Sequence, residues 1–160
     1  MKLSLRVNTP EDSESDSSGI SDYSKLERVL ENELVEIFPV SKNYEFAEIS
    51  LTFVSPEEIR ALNKNYRDTD EATDVLSFPL LEDEPVGIPE LPVLALGDIV
   101  ICPQETERLH PELKSDEAIL LMIAHSFLHL LGYDHVDENE QKVMWDMQEK
   151  IAKKLSEVSK

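Results

Sequence analysis

Apolar residues recur along this chain with two different periods, and the switches between them mark out the elements. Residues 2–7 alternate apolar and polar, which predicts an edge or half-buried strand. Leu26, Val29, Leu30, Leu34 and Ile37 follow helical spacing. Ser24-Lys25-Leu26-Glu27 reads as a capping box at the start of that helix, which runs to about Phe38. Phe46 to Val54 alternates again and is rich in strand formers. Ser55-Pro56-Glu57-Glu58 combines an N-cap, a first-turn proline and a capping glutamate, and opens a short helix bearing Ile59, Leu62 and Tyr66. Val75 to Leu80 predicts a strand ending near Pro79. Leu94 to Cys102 is nearly continuous in apolar residues, as in a central strand covered on both faces. Pro103 to Leu113 reads as helical. Ser115 can cap the next helix, with Asp116 and Glu117 favourable at its positive end. That helix runs to Leu131 and stops at Gly132. Asp137-Glu138-Asn139-Glu140 caps a last helix with Met144, Met147, Ile151 and Leu155 on one face, and Trp145 is assigned to the core with them. The alternation predicts an α+β (α/β-like) fold, a small mixed sheet covered by helices.

Two stretches stand outside this pattern. Residues 8–22 are rich in Ser, Asp and Glu and predict a mobile, acidic loop. Residues 82–92 hold four acidic residues and three prolines and also read as a loop. The 160 residues fit one domain with one core. No apolar run is long enough to span a bilayer, and the N-terminus lacks the apolar core of a secretory signal. The single cysteine, Cys102, rules out an internal disulfide. A cytoplasmic monomer with no membrane partner is the expectation.

Charge narrows the function further. With 34 acidic and 15 basic side chains the formal net charge is −19. Such a surface repels polyanions at long range, so non-specific nucleic-acid binding is disfavoured. An RNA role requires a local basic contact or a metal.

The chemistry concentrates in one place. Three of the four histidines fall within eleven residues: His125, His129 and His135. Residues four apart on a helix sit one above the other, about 6 Å apart. Two imidazoles so placed can point at one ion, with nitrogen–metal distances of about 2.0–2.1 Å. Gly132 ends the helix, so the chain can fold back and bring His135 from another direction. Three protein ligands leave a fourth position open, the pattern of a catalytic zinc site with one ion per chain. Nickel, copper and iron also suit histidine ligands. His110, beside Pro111 in polar sequence, reads as structural.

The histidine spacing matches two families. Metzincin peptidases share the three histidines and the glycine, but the position of their catalytic glutamate is Ser126 here, and serine cannot act as that general base. Residues 125–135 resemble more closely the signature of the YbeY family, His-Gly-x-Leu-His-Leu-x-Gly-Tyr-Asp-His, departing from it at Ser126. Leu62 to Arg67 with Ala72 to Pro79, and Leu96 to Cys102, are similar to two further blocks of that family, in family order. The resemblance implies a zinc-dependent endoribonuclease specific for single-stranded RNA. It implies a role in maturation of the 3′ end of 16S ribosomal RNA and in ribosome quality control, with the small ribosomal subunit or a ribosome-associated protein as partner. It also implies a mixed sheet covered by helices, with the histidine helix central.

Further roles follow by residue. Arg67 matches a family position in the active cleft and can grip a phosphate with two hydrogen bonds; a surface ion pair is its alternative. Asp98, inside an apolar strand, needs a partner. It could orient a ligand histidine, serve as base, or cap the strand end. Asp134 could orient His135 or fix the turn; Thr73 and Ser77 read as structural. Two rival functions remain: a ribosome assembly factor whose zinc is mainly structural, and a metzincin-like metallopeptidase.

Overall fold

A computed structural model describes residues 1–9, 20, 22–81, 85, 92–134 and 137–159. Most of the acidic segment 8–22, most of the loop 82–92, and His135 lie outside the described residues. Ile20, within the first of these, is buried in the main core.

The elements are β1 (Lys2–Asn8), α1 (Ser24–Ile37), β2 (Phe46–Phe53), α2 (Pro56–Arg67), β3 (Val75–Pro79), β4 (Val93–Ile101), α3 (Pro103–Leu109), α4 (Ser115–Leu130) and α5 (Glu138–Ser159). The four strands form one sheet in the order β1-β2-β4-β3. β1, β2 and β4 are parallel, with Leu3 opposite Ala47 and Leu51 opposite Ile99. β3 runs antiparallel to β4, with Ser77 opposite Ile99. The fold is α+β with a mixed sheet, as the alternation of elements implied. Among the described residues, no helix is long and apolar enough to cross a membrane.

One face of the sheet carries the main core. Leu3, Leu5, Ile49, Leu51, Leu96, Ile99 and Ile101 pack there against Leu30 and Leu34 of α1, Ile123 and Phe127 of α4, and Met144 and Ile151 of α5. The other face is covered only in part. Ile59 of α2 packs with Val54, Leu76, Val100 and Cys102 in a smaller cluster. Ala95 and Asp98 are exposed there, so β4 is not covered on both faces along its whole length as expected.

Three local readings are corrected. Ser24 and Glu27 do not form a capping box. Asp22 accepts from the Ser24 backbone N–H at 2.9 Å, and Glu27 accepts instead from the Leu5 N–H of β1 at 2.7 Å. The outer N–H groups of an edge strand need acceptors, and that demand takes the glutamate. Ser115 is the first helical residue of α4 and makes no capping bond, the N-cap position being Lys114. Trp145 is not core: it is 57% exposed, and the buried face of α5 is Met144, Gln148, Ile151 and Leu155. By contrast, Ser55 accepts from the Glu58 N–H with Pro56 at the first helical position, as the sequence pattern required. Asp137 likewise accepts from the Glu140 N–H at 2.8 Å.

Candidate metal centre

α4 is apolar on nearly every side. It packs against α3, α5, β3 and β4, and ten of its residues are buried. His125 and His129 are one turn apart on the strip that reaches an open cleft of about 540 Å³. The helix ends as the sequence indicated. Gly132 adopts φ +95°, its N–H donates to the His129 carbonyl, and the Tyr133 N–H donates to the Leu128 carbonyl. This pair of bonds defines a Schellman end with glycine in the position that favours positive φ. It turns the chain back so that Gly132, Tyr133 and Asp134 line the same cleft.

The two rings face each other. Their Nε2 atoms are 3.1 Å apart, with ring centroids 4.5 Å apart and planes at 78°. Two nitrogens each about 2.0–2.1 Å from one ion, at a tetrahedral angle, lie about 3.3 Å apart. The pair is thus already at the separation that a shared ion requires. On the far side of His125, Nδ1 lies 2.7 Å from Oε1 of Gln148. An amide oxygen only accepts, so this contact is a hydrogen bond when Nδ1 carries the proton, and Nε2 then presents its lone pair toward His129. Two imidazole nitrogens held this close need a proton or a cation between them. The donor set therefore fits a metal such as zinc.

Arg67 also lines this cleft. As the last residue of α2 it reaches the edge strand β3, donates from Nη2 to the Ser77 carbonyl at 2.6 Å, and lies over the Phe78 ring at 5.4 Å. Those contacts hold the guanidinium at the cleft rim, where it lines the same space as the histidines. Tyr66 meets the same Phe78 ring edge-on at 5.5 Å.

Asp98 is placed elsewhere. It is exposed on the other face of the sheet, in a groove with Ser50, Thr52, Tyr66 and Phe78 that shares no lining residue with the histidine cleft. The side chain that lies beside His125 Nδ1 is Gln148 instead. Gln148 was missed because only the apolar members of its helix face were read. The available signal was a polar residue at a buried position, four after Met144 and three before Ile151. Ser126 is fully buried and does not line the cleft, so it cannot stand in for a peptidase glutamate. His110 Nε2 lies 3.0 Å from Asp74, and Thr73 donates to the same carboxylate.

Comparison with known proteins agrees with the fold. The family model described as Endoribonuclease YbeY matches residues 11–156. A protein of that name from Staphylococcus saprophyticus is 50% identical over 111 residues, spanning 67% of this chain and 71% of the relative. One from Finegoldia magna is 39% identical over 153 residues, spanning 92% and 90%. A solution structure from Thermotoga maritima superposes with TM-score 0.54 at 30% identity, covering 94% of this chain and 88% of that one. With a family match over residues 11–156 and relatives 39–50% identical over two thirds or more of its length, this chain belongs to the endoribonuclease YbeY family.

Proposed function

We propose that this chain is a zinc-dependent, cytoplasmic endoribonuclease that cleaves single-stranded RNA, with 16S ribosomal RNA of the small subunit as its target. The observation that carries the reading is the pair of imidazoles, 3.1 Å apart at Nε2, in a cleft that Arg67 also lines. The endoribonuclease name of its relatives supports the reaction class. His125 and His129 are the residues that would hold the ion. His135, next in sequence to the cleft-lining Asp134, is the expected third ligand.

A zinc ion held there supplies Lewis acidity toward oxygen ligands. The chain's own residues supply position and charge. Arg67 has one Nη2–H committed to Ser77 and its remaining donors available to a phosphate, so it can both orient the scissile group and offset negative charge that grows in the transition state. The Schellman turn holds Tyr133 and Asp134 against the same space and limits how the chain can enter. A net charge of −19 opposes RNA at long range, so substrate capture depends on this local contact or on a ribosomal partner.

The test is metal content and RNA cleavage together. About one zinc per chain is expected in the wild type and loss of it in His125→Ala. His129→Ala and Arg67→Ala should each lower cleavage of a single-stranded RNA by about a hundredfold or more while remaining folded. A wild-type protein that takes up no zinc, or a His129→Ala variant with full activity, overturns the reading. A 2′,3′-cyclic phosphate end would identify the RNA 2′-hydroxyl as nucleophile, and a 5′-phosphate end on the downstream product would exclude it.

A further inference from the structure

Gln148 sits in a place where packing alone does not explain a primary amide. On α5 it belongs to the buried face with Met144, Ile151 and Leu155, and it is 9% exposed. An apolar side chain of similar length would fill that seam without the cost of desolvating an amide. What the amide adds is its Oε1, 2.7 Å from Nδ1 of His125 on the neighbouring helix.

We propose that Gln148 is the positioning residue of the histidine pair: by accepting from Nδ1–H it fixes the tautomer and the ring orientation of His125, so that Nε2 is the unprotonated nitrogen and faces His129. The inference deepens the metal-site reading and rests on it for its functional consequence. Histidines that hold metals usually give their second nitrogen to a carboxylate or a carbonyl, and that partner sets both ring angle and basicity. Here the partner is a neutral amide on a different helix. It orients the ring while adding no negative charge, so the positive charge of a bound ion is left undiminished. It also ties the site to the α4–α5 packing. Ring rotation by half a turn would break the bond to Gln148 and put Cε1–H where Nε2 faces His129, so one orientation is selected.

Two measurements on the full-length protein test this. Nitrogen–proton correlation spectra of the metal-free wild type should show His125 protonated on Nδ1, and Gln148→Leu should lose that preference. Zinc affinity by chelator competition should fall about 10–100-fold in Gln148→Leu, and Gln148→Glu, which keeps the acceptor, should bind at least as tightly as wild type. A wild-type His125 protonated on Nε2 overturns the proposal, and needs no variant to fold. So does a folded Gln148→Leu protein that binds zinc within about threefold of wild type, or a folded glutamate variant as weak as the leucine one. If the wild type takes up no zinc yet His125 is held as the Nδ1–H form through Gln148, the metal reading fails while the positioning role stands.

Discussion

Two glycines bracket the histidine pair, and they do different work. Gly97 in β4 has φ +143°, and a Cβ built there would lie 2.3 Å from the Phe78 carbonyl oxygen and 2.8 Å from Leu130 Cδ2. Its missing side chain is what lets α4 approach the β3–β4 edge one residue after His129. Gly132 has φ +95° but open space around the same point. Gly97→Ala should therefore cost at least about 2–3 kcal/mol, strain and overlap combined, and Gly132→Ala about 1 kcal/mol from backbone strain alone. Urea unfolding of the two variants checks both values and their order. The role of Gly132 was legible in the sequence, because a glycine that ends an apolar periodic run is a local signal. That of Gly97 was not, since it depends on where a helix thirty residues later docks.

At the level of elements, β1 shows how an exposed sheet edge is closed. Glu27 and Glu31, one turn apart on α1, accept the outward N–H groups of Leu5 and Leu3 at 2.7 and 2.8 Å. Those donors would otherwise be open to pairing with another chain. Replacing either glutamate by alanine should cost about 1–2 kcal/mol and speed hydrogen exchange at the matching leucine amide, leaving the other amide protected. Unchanged exchange at both would show that water serves equally well. The strands themselves, the α2 cap at Ser55 and the end of α4 were readable from period and turn chemistry. The capping-box reading at Ser24 failed because Glu27 answers a long-range demand that no local window contains. Trp145 failed for a related reason: hydrophobicity alone does not say which face of α5 meets the core, and the buried glutamine on that face was the better guide to the site.

Across the whole molecule, a buried carboxylate adds a polar link to the apolar packing of α1 on α5. Glu33 is 2% exposed and is paired with Lys154, with Lys150 at 3.9 Å. The bond from Glu33 holds the Lys154 ammonium above its ordinary range near 10.5. A group whose folded pKa is raised contributes stability that is complete below the unfolded value and is lost as pH rises through the folded one. Lys154→Met should thus destabilise the protein by up to about 1 kcal/mol near neutrality, the ammonium being 44% exposed and screened by solvent, with the gap to wild type closing above about pH 10.5. Urea midpoints from pH 7 to 11 would show it, and a gap constant over that range would refute the assignment. The same burial that shapes this face surrounds α4, and it has a dynamic consequence. A helix enclosed by α3, α5 and two strands opens only when the domain does, so its amides should be among the slowest to exchange. The imidazoles are brought together during folding, before any ligand arrives. A chelator should accordingly leave the fold intact and lower the apparent stability only by mass action, in contrast to small zinc modules that unfold once their ion is withdrawn.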